Sequence, residues 1–426
     1  MNKLPFPAAT GGRKVWLRVG TLLDGVSTKP LHDAHVVYDK SVIHFAGNAP
    51  PPADLLNANQ QQPDLDLPEY TLLPGLIEAH AHFFLEGGEL NLHKRSAYLK
   101  HSPEVLLRAA QARLEKLVPL GIIAVRDAGD KDGVGLALSK LYASGQVPAI
   151  PYVDSPGSAI HRRGRYGSFM AEPLEKFASL RQCVEARVKA GAARIKLIPT
   201  GIINFRKGAV TTEPQMTAAE VSELVAAAKS FAKQSLAHGS GDVGIEIAIE
   251  GGVDSIEHGF FLREDQLAKM RDREIAWVPT FAPVQKQIDH ADVMGWDAHA
   301  VANLKRILER HAASLVKAHA MGVQVIAGSD AGAYGVAHGV DFFSELELME
   351  RAGLSPMSVI NSATGTSSNR LAFKEKFGQI KPGYRSRFIL TRHSPLEGVS
   401  NLRKNKLVLF DGDVLDSGDS FDSTGM

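Results

Sequence analysis

Two histidines stand two residues apart in the run IEAHAH, at His80 and His82. Residues two apart on an extended strand point to the same side, so both imidazoles can face one cavity. Four further polar residues lie within or at the end of apolar runs: Lys196 in RIKLIP, His238 in SLAHG, His258 in SIEHG and Asp330 in GSDAG. Four imidazoles and a carboxylate that converge make a nitrogen and oxygen donor set suited to zinc, or to manganese, iron, cobalt or nickel. Each residue alone has a plainer role. A lone His-x-His is weak evidence for a metal, a histidine at a strand end is more often a hydrogen-bonded structural residue, and Asp330 can cap a following helix. Lys196 is harder to explain away, because an ammonium inside an apolar strand needs a partner or a lowered pKa. The set as a whole points to a metal site.

Such residues need elements that bring them together. Between residues 71 and 375 apolar runs alternate with helical patterns: LLPGLIEAHAH, IIAVRDAG, AIPYVDS, RIKLIPTG, SLAHG, VDSIEHG, IAWVPTF and VQVIAGSDAG. Ser102-Pro103 supplies a helix N-cap and first-turn proline, and Thr217 with Glu220 reads as a capping box. Further helices read from about Val134, Lys176, Val243, Glu264, Ala298 and Phe342. Eight strand–helix units predict a (β/α)8 TIM barrel, in which catalytic groups sit where strands end and loops begin. His80 and His82 end the first strand, Lys196 lies in the fourth, and His238, His258 and Asp330 end the fifth, sixth and eighth.

The two ends of the chain read differently. Residues 1–70 carry short strand-like runs (VWLRVGTLL, AHVVYD, SVIHFAG) and then a polar, Pro-rich connection. The same character returns in residues 376–426, with RFILTRH and KLVLFDGDVL. These ends are expected to meet as a small β-sandwich beside the barrel. A formal charge of +1 offers no field for nucleic acid or an anionic membrane. The single cysteine, Cys183, rules out an internal disulfide framework, and neither a signal peptide nor a membrane span is evident. A cytoplasmic, soluble protein is the default expectation.

Loops after the strands should choose the substrate. After the third strand SPGSAIHRRGRYG offers His161, Arg162, Arg163, Arg165 and Tyr166, and after the fourth TGIINFRKGAV offers Arg206 and Lys207. A guanidinium there matches a substrate carboxylate, although a solvated charged loop has the same composition. Phe281, Gln285 and His290 can wall the pocket, and His338 either approaches it or ties down its own loop.

LLPGLIEAHAHF, SIEHG and GSDAG resemble the first-, sixth- and eighth-strand motifs of the amidohydrolase superfamily, with likeness from about Val15 to Leu415. AVRDAG, RIKLIPTG, VAHGVDFFSELELMERAGLSPMSVINSATGTSSNRL and GQIKPGYRSRFIL are similar to its imidazolonepropionase-related group, which includes Xaa-Pro dipeptidases. The resemblance implies two zinc ions per chain. His80, His82 and Asp330 would hold the more buried ion, His238 and His258 the more exposed one, and Lys196, carboxylated to a carbamate, would bridge them. It also implies water activated by the metals, with Asp330 as general base and then acid. A mononuclear version would use His80, His82, His238 and Asp330, leaving His258 to polarise the substrate or move a proton.

One departure bears on specificity. Those dipeptidases carry a tyrosine shortly after the fifth-strand histidine, whereas here the chain runs His238-Gly239-Ser240-Gly241. The expected activity is hydrolysis of an amide-type C–N bond in a carboxylate-bearing N-acyl amino acid, dipeptide or cyclic amide. The alternatives are a mononuclear deaminase, an ester, lactone or organophosphate hydrolase, and a non-catalytic binding relative. The partner expected is a small-molecule substrate, with neither nucleic acid nor membrane, and the family resemblance allows a homo-oligomer.

Overall fold

The computed structural model describes Phe6, Ala9 and residues 12–416. Its strands, in chain order, are β1 (Val15–Leu22), β2 (Leu31–Tyr38), β3 (Ile43–Gly47), β4 (Leu65–Pro74), β5 (Leu76–Ala81), β6 (Ile122–Asp127), β7 (Tyr152–Asp154) and β8 (Ile195–Leu197). There follow β9 (Ile203–Asn204), β10 (Ala209–Val210), β11 (Ser235–Ser240), β12 (Ser255–Phe260), β13 (Ala276–Val278), β14 (Arg387–Thr391), β15 (Lys406–Phe410) and β16 (Asp413–Asp416). The chain divides into two compact units. One holds the described residues up to 77, 116–123 and from 355 on; the other holds 78–115 and 124–354.

In the first unit the two ends of the chain meet in one seven-stranded sheet, ordered β16-β15-β14-β4-β1-β2-β3. The junction is the antiparallel pair β4–β14, with Leu73 opposite Ile389. Residues 17–19 of β1 alternate in the way a one-sided sheet requires. Leu17 and Val19 enter a core with Val36, Leu72, Phe388 and Leu390, while Arg18 between them pairs outside with Asp33 and Asp66. Gly20 marks a break in the β1–β4 register, where a Cβ would lie 1.8 Å from the Pro68 carbonyl oxygen. The expected sandwich of two sheets is not shown: among the described residues these strands form one hydrogen-bonded sheet. Its β3 edge bends back towards the approach to β14: the Ile43 N–H donates to Tyr384 O at 2.8 Å and the Gly383 N–H to Ile43 O at 2.9 Å.

The second unit carries parallel strands separated by helices, an α/β arrangement. β5, β6 and β7 form one sheet, and β8, β11, β12 and β13 another. Every residue of β5, β6, β11 and β12 is buried, as befits parallel strands covered on both faces. Backbone hydrogen bonds run on beyond these sheets. The Ile160 N–H reaches Lys196 O at 2.8 Å, the Trp277 N–H reaches Gln324 O at 2.9 Å, the Ala79 N–H reaches Ala327 O at 2.9 Å and the Asp330 N–H reaches His80 O at 2.7 Å.

The helices start where capping chemistry allows. Thr217 and Glu220 close the capping box of the helix Ala218–Ser230, and Pro103–Glu115 begins at the expected proline. The helix expected from Lys176 begins later, at Leu180, where the Ser179 hydroxyl accepts the Gln182 N–H. Residues 282–289, read from sequence only as pocket wall, form the helix Ala282–Asp289 with a first-turn proline.

Candidate metal centre

The strand ends of the second unit gather the histidines. His80 on β5 is fully buried, and its ring centroid lies 5.4 Å from that of His82 and 5.1 Å from that of His258. His238 and His258 are 4.6 Å apart by the same measure. Asp330 Oδ1 stands 3.6 Å from His80 Nε2 and 3.5 Å from His82 Nε2. One ligand atom from each of His80, His258 and Asp330 can be chosen so that all lie within 4.8 Å of one another. Lys196 on β8 is buried to 2% exposure and acts on the charge state of all four imidazoles.

The backbone is bent to make this cluster. His258, Thr280 and Asp330 adopt φ of 68°, 50° and 57°, a left-handed region that costs a side-chain-bearing residue about 1–3 kcal/mol. Three rings are fixed from behind at Nδ1: His80 by Glu257 Oε2 at 2.5 Å, His82 by Gly129 O at 2.7 Å and His258 by Thr280 Oγ1 at 2.8 Å. Their Nε2 atoms are left for the centre, and that of His80 is buried without a hydrogen-bond partner. His238 differs, since its Nε2 lies 3.1 Å from Gly201 O.

Burial sets the charge states. It holds His80 and His258 well below the usual imidazole range, with His82 at about 4 and His238 at about 3. These rings are neutral at physiological pH, the form that ligates a metal. Burial lowers Lys196 to about 8, against the pull of Glu257. It raises Asp330 to about 7, although Lys196 draws it back. Neutral imidazole nitrogens, one of them buried and unpartnered, and a carboxylate in contact with two of the rings fit a divalent transition metal.

The residues expected to touch substrate fare unequally. The Tyr166 ring sits 5.0 Å from His238, and Asp330 adds to the burial that pushes its phenol pKa up. Arg163 is exposed on the same loop, where its backbone N–H donates to Glu175. His161 is turned inward: Nδ1 meets Arg162 O and Nε2 meets Ala171 O, both at 2.9 Å, so neither nitrogen is left for a ligand. Arg206 lies over the Trp296 ring and reaches Asp297 at 3.3 Å. His338 stands behind the centre, with Nε2 3.0 Å from His82 O.

Sequence reasoning passed over the groups behind these imidazoles. Glu257 is fully buried between His80 and Arg126. Glu78 accepts the N–H groups of His80 and Ser329 at 3.0 and 2.9 Å. Glu345 accepts those of Phe281 and Ala282 at 2.9 and 2.8 Å, fixing the turn that carries Thr280. The signal that singled out Lys196, a charge inside an apolar run, is present for Glu78 in IEAHAH, Arg126 in AVRDAG and Glu257 in SIEHG.

Imidazoles and a carboxylate gathered at the ends of parallel strands of an α/β fold make a donor set that could hold a metal ion. Residues 71–415 match the amidohydrolase family, and the chain belongs to it. Ochratoxinase of Aspergillus niger is 26% identical over 430 aligned residues, covering 94% of this chain and 86% of the relative. A Xaa-Pro dipeptidase structure with methionine bound in its active site superposes with a TM-score of 0.79 at 25% identity, over 95% of this chain and 100% of that one. The A. niger ochratoxinase structure is alike in fold, with a TM-score of 0.78 at 22% identity over 94% of this chain and 95% of that one. The chain is thus an enzyme of the hydrolase class that acts on carbon–nitrogen bonds.

Proposed function

We propose that this chain hydrolyses an amide-type C–N bond in a small carboxylate-bearing substrate, an N-acyl amino acid, dipeptide or cyclic amide, using zinc held by its strand-end histidines. The observation that carries the reading is the cluster of His80, His258 and Asp330 ligand atoms within 4.8 Å, inside a family match that spans residues 71–415. Ochratoxinase and Xaa-Pro dipeptidase as relatives favour an amide bond over an ester or an exocyclic amine. The strand-to-strand hydrogen bonds from Ile160, Trp277, Ala79 and Asp330 favour a closed (β/α)8 barrel over residues 71–375. The segments 1–70 and 376–426 then form its companion domain, and a cytoplasmic setting completes the reading.

In this reading His80, His82 and Asp330 would hold one ion and His238 and His258 the second. Bound zinc supplies a Lewis acid and a water of lowered pKa. At a pKa of about 8, Lys196 is partly neutral near physiological pH. Its Nζ could then attack carbon dioxide, forming an N–C bond as a C–O π pair moves to oxygen and the nitrogen loses a proton, and the carbamate would supply an anionic oxygen ligand. Asp330 would take a proton from the attacking water and return it to the nitrogen as the C–N bond breaks. Tyr166 and Arg163 are the substrate contacts, one beside His238 and one at the loop surface. A mononuclear centre on His80, His82, His238 and Asp330 is the second reading, and the His238 Nε2 contact to Gly201 O does not separate the two, since both use His238.

The test is a panel of N-acyl amino acids, dipeptides, cyclic amides, lactones and aminated heterocycles offered to zinc-reconstituted protein. Release of a free amino acid from the amide members is the expected result. Turnover confined to lactones, or ammonia release from the heterocycles, would overturn the assignment.

A further inference from the structure

We infer that Glu257, braced by Arg126, is a positioning residue that holds His80 in the tautomer a metal needs; this rests on the metal-hydrolase reading above. Glu257 Oε2 lies 2.5 Å from His80 Nδ1, with both side chains fully buried. The same carboxylate receives Arg126 Nη2 on both oxygens, at 2.9 and 2.7 Å, and the Ser255 hydroxyl at 2.6 Å. Arg126 is itself fixed, its Nε donating to Ala79 O at 2.6 Å and its Nη1 to Ser255 Oγ at 2.9 Å.

An ionised carboxylate can only accept, and the guanidinium supplies its counter-charge. The proton of the His80 pair therefore resides on Nδ1, and the Nε2 lone pair is left bare. That atom is buried without a hydrogen-bond partner. The backbone is arranged for this contact. Consecutive strand residues face opposite sides, yet Glu257 bonds His80 and the ring of His258 also lies 5.1 Å from it. The left-handed φ of 68° at His258 turns its side chain back towards the ring that Glu257 already holds. A buried ion pair is a costly way to brace two strands, since apolar residues of like volume often serve as well. Its location directly behind one imidazole accords with a role in orienting that imidazole.

Two measurements test the inference. In metal-free wild-type protein labelled with 15N-histidine, long-range proton–nitrogen spectra assigned by His80→Gln should show His80 protonated at Nδ1. Protonation at Nε2 would overturn the inference, and no variant of Glu257 need fold for this reading. Secondly, Glu257→Gln presents the ring with an amide able to donate, and its zinc affinity, measured by competition with a chromophoric chelator, should fall about 10- to 100-fold. Wild-type affinity in a folded Glu257→Gln protein would equally overturn it. Failure of the wild-type protein to bind zinc would sink the metal reading instead, and the tautomer would then decide the Glu257 assignment alone.

Discussion

At the scale of single residues, burial drives the four imidazoles, Lys196 and Asp330 towards their neutral forms. Burial raises the Asp330 carboxyl to about 7 in the metal-free chain, and its proposed role as base and then acid is tested by substitution. Replacing it with Asn, assayed at saturating zinc, is expected to lower kcat about 100- to 10,000-fold with a much smaller change in KM; initial rates across the substrate panel check this. Glu345 gives a separate expectation for stability. Burial pushes its carboxyl up to about 8, against the N–H groups of Phe281 and Ala282. The folded state then keeps a proton that the unfolded chain has lost, so this group's contribution is full below the unfolded carboxyl pKa and is lost as pH rises towards 8. Urea unfolding from pH 5 to 8 should show stability falling more steeply in wild type than in Glu345→Gln. Equal slopes would remove Glu345 from the account.

At the scale of elements, what could be read from sequence was what depends on neighbours along the chain. Thr217 and Glu220 are three apart, and the capping box they imply is present. Thr217→Ala is expected to cost about 1 kcal/mol in urea unfolding. His80 and His82 are two apart, and their rings do lie together beside Asp330. What depends on tertiary contact stayed hidden. Nothing local says that Glu257 lies behind His80, 177 positions earlier, or that His161 spends both nitrogens on its own loop. The helix Ala282–Asp289 was missed because Thr280 and Phe281 precede it in a turn fixed by the distant Glu345. Thr280 is the element-level counterpart of Glu257, a turn residue that fixes His258. Thr280→Val should weaken zinc binding about tenfold by chelator competition and leave the circular dichroism spectrum unchanged.

At the scale of the whole molecule, two units carry separate burdens. The seven-stranded sheet encloses an apolar core in which Phe388 is fully buried. Phe388→Ala should cost about 3–5 kcal/mol of that unit's stability, as seen by calorimetry. The second unit buries several ionisable groups at the proposed centre, and a metal that binds only the folded state stabilises it by mass action. Chelator should therefore lower its Tm, and zinc should restore it. The most direct test of the central claim is metal content by mass spectrometry on protein purified without chelator, for wild type, Asp330→Ala and Lys196→Ala. The account expects about two divalent transition-metal ions per wild-type chain, with fewer in both variants. A single ion unaffected by the Lys196 change would leave the mononuclear centre. A wild-type chain that retains no metal after reconstitution would contradict the account.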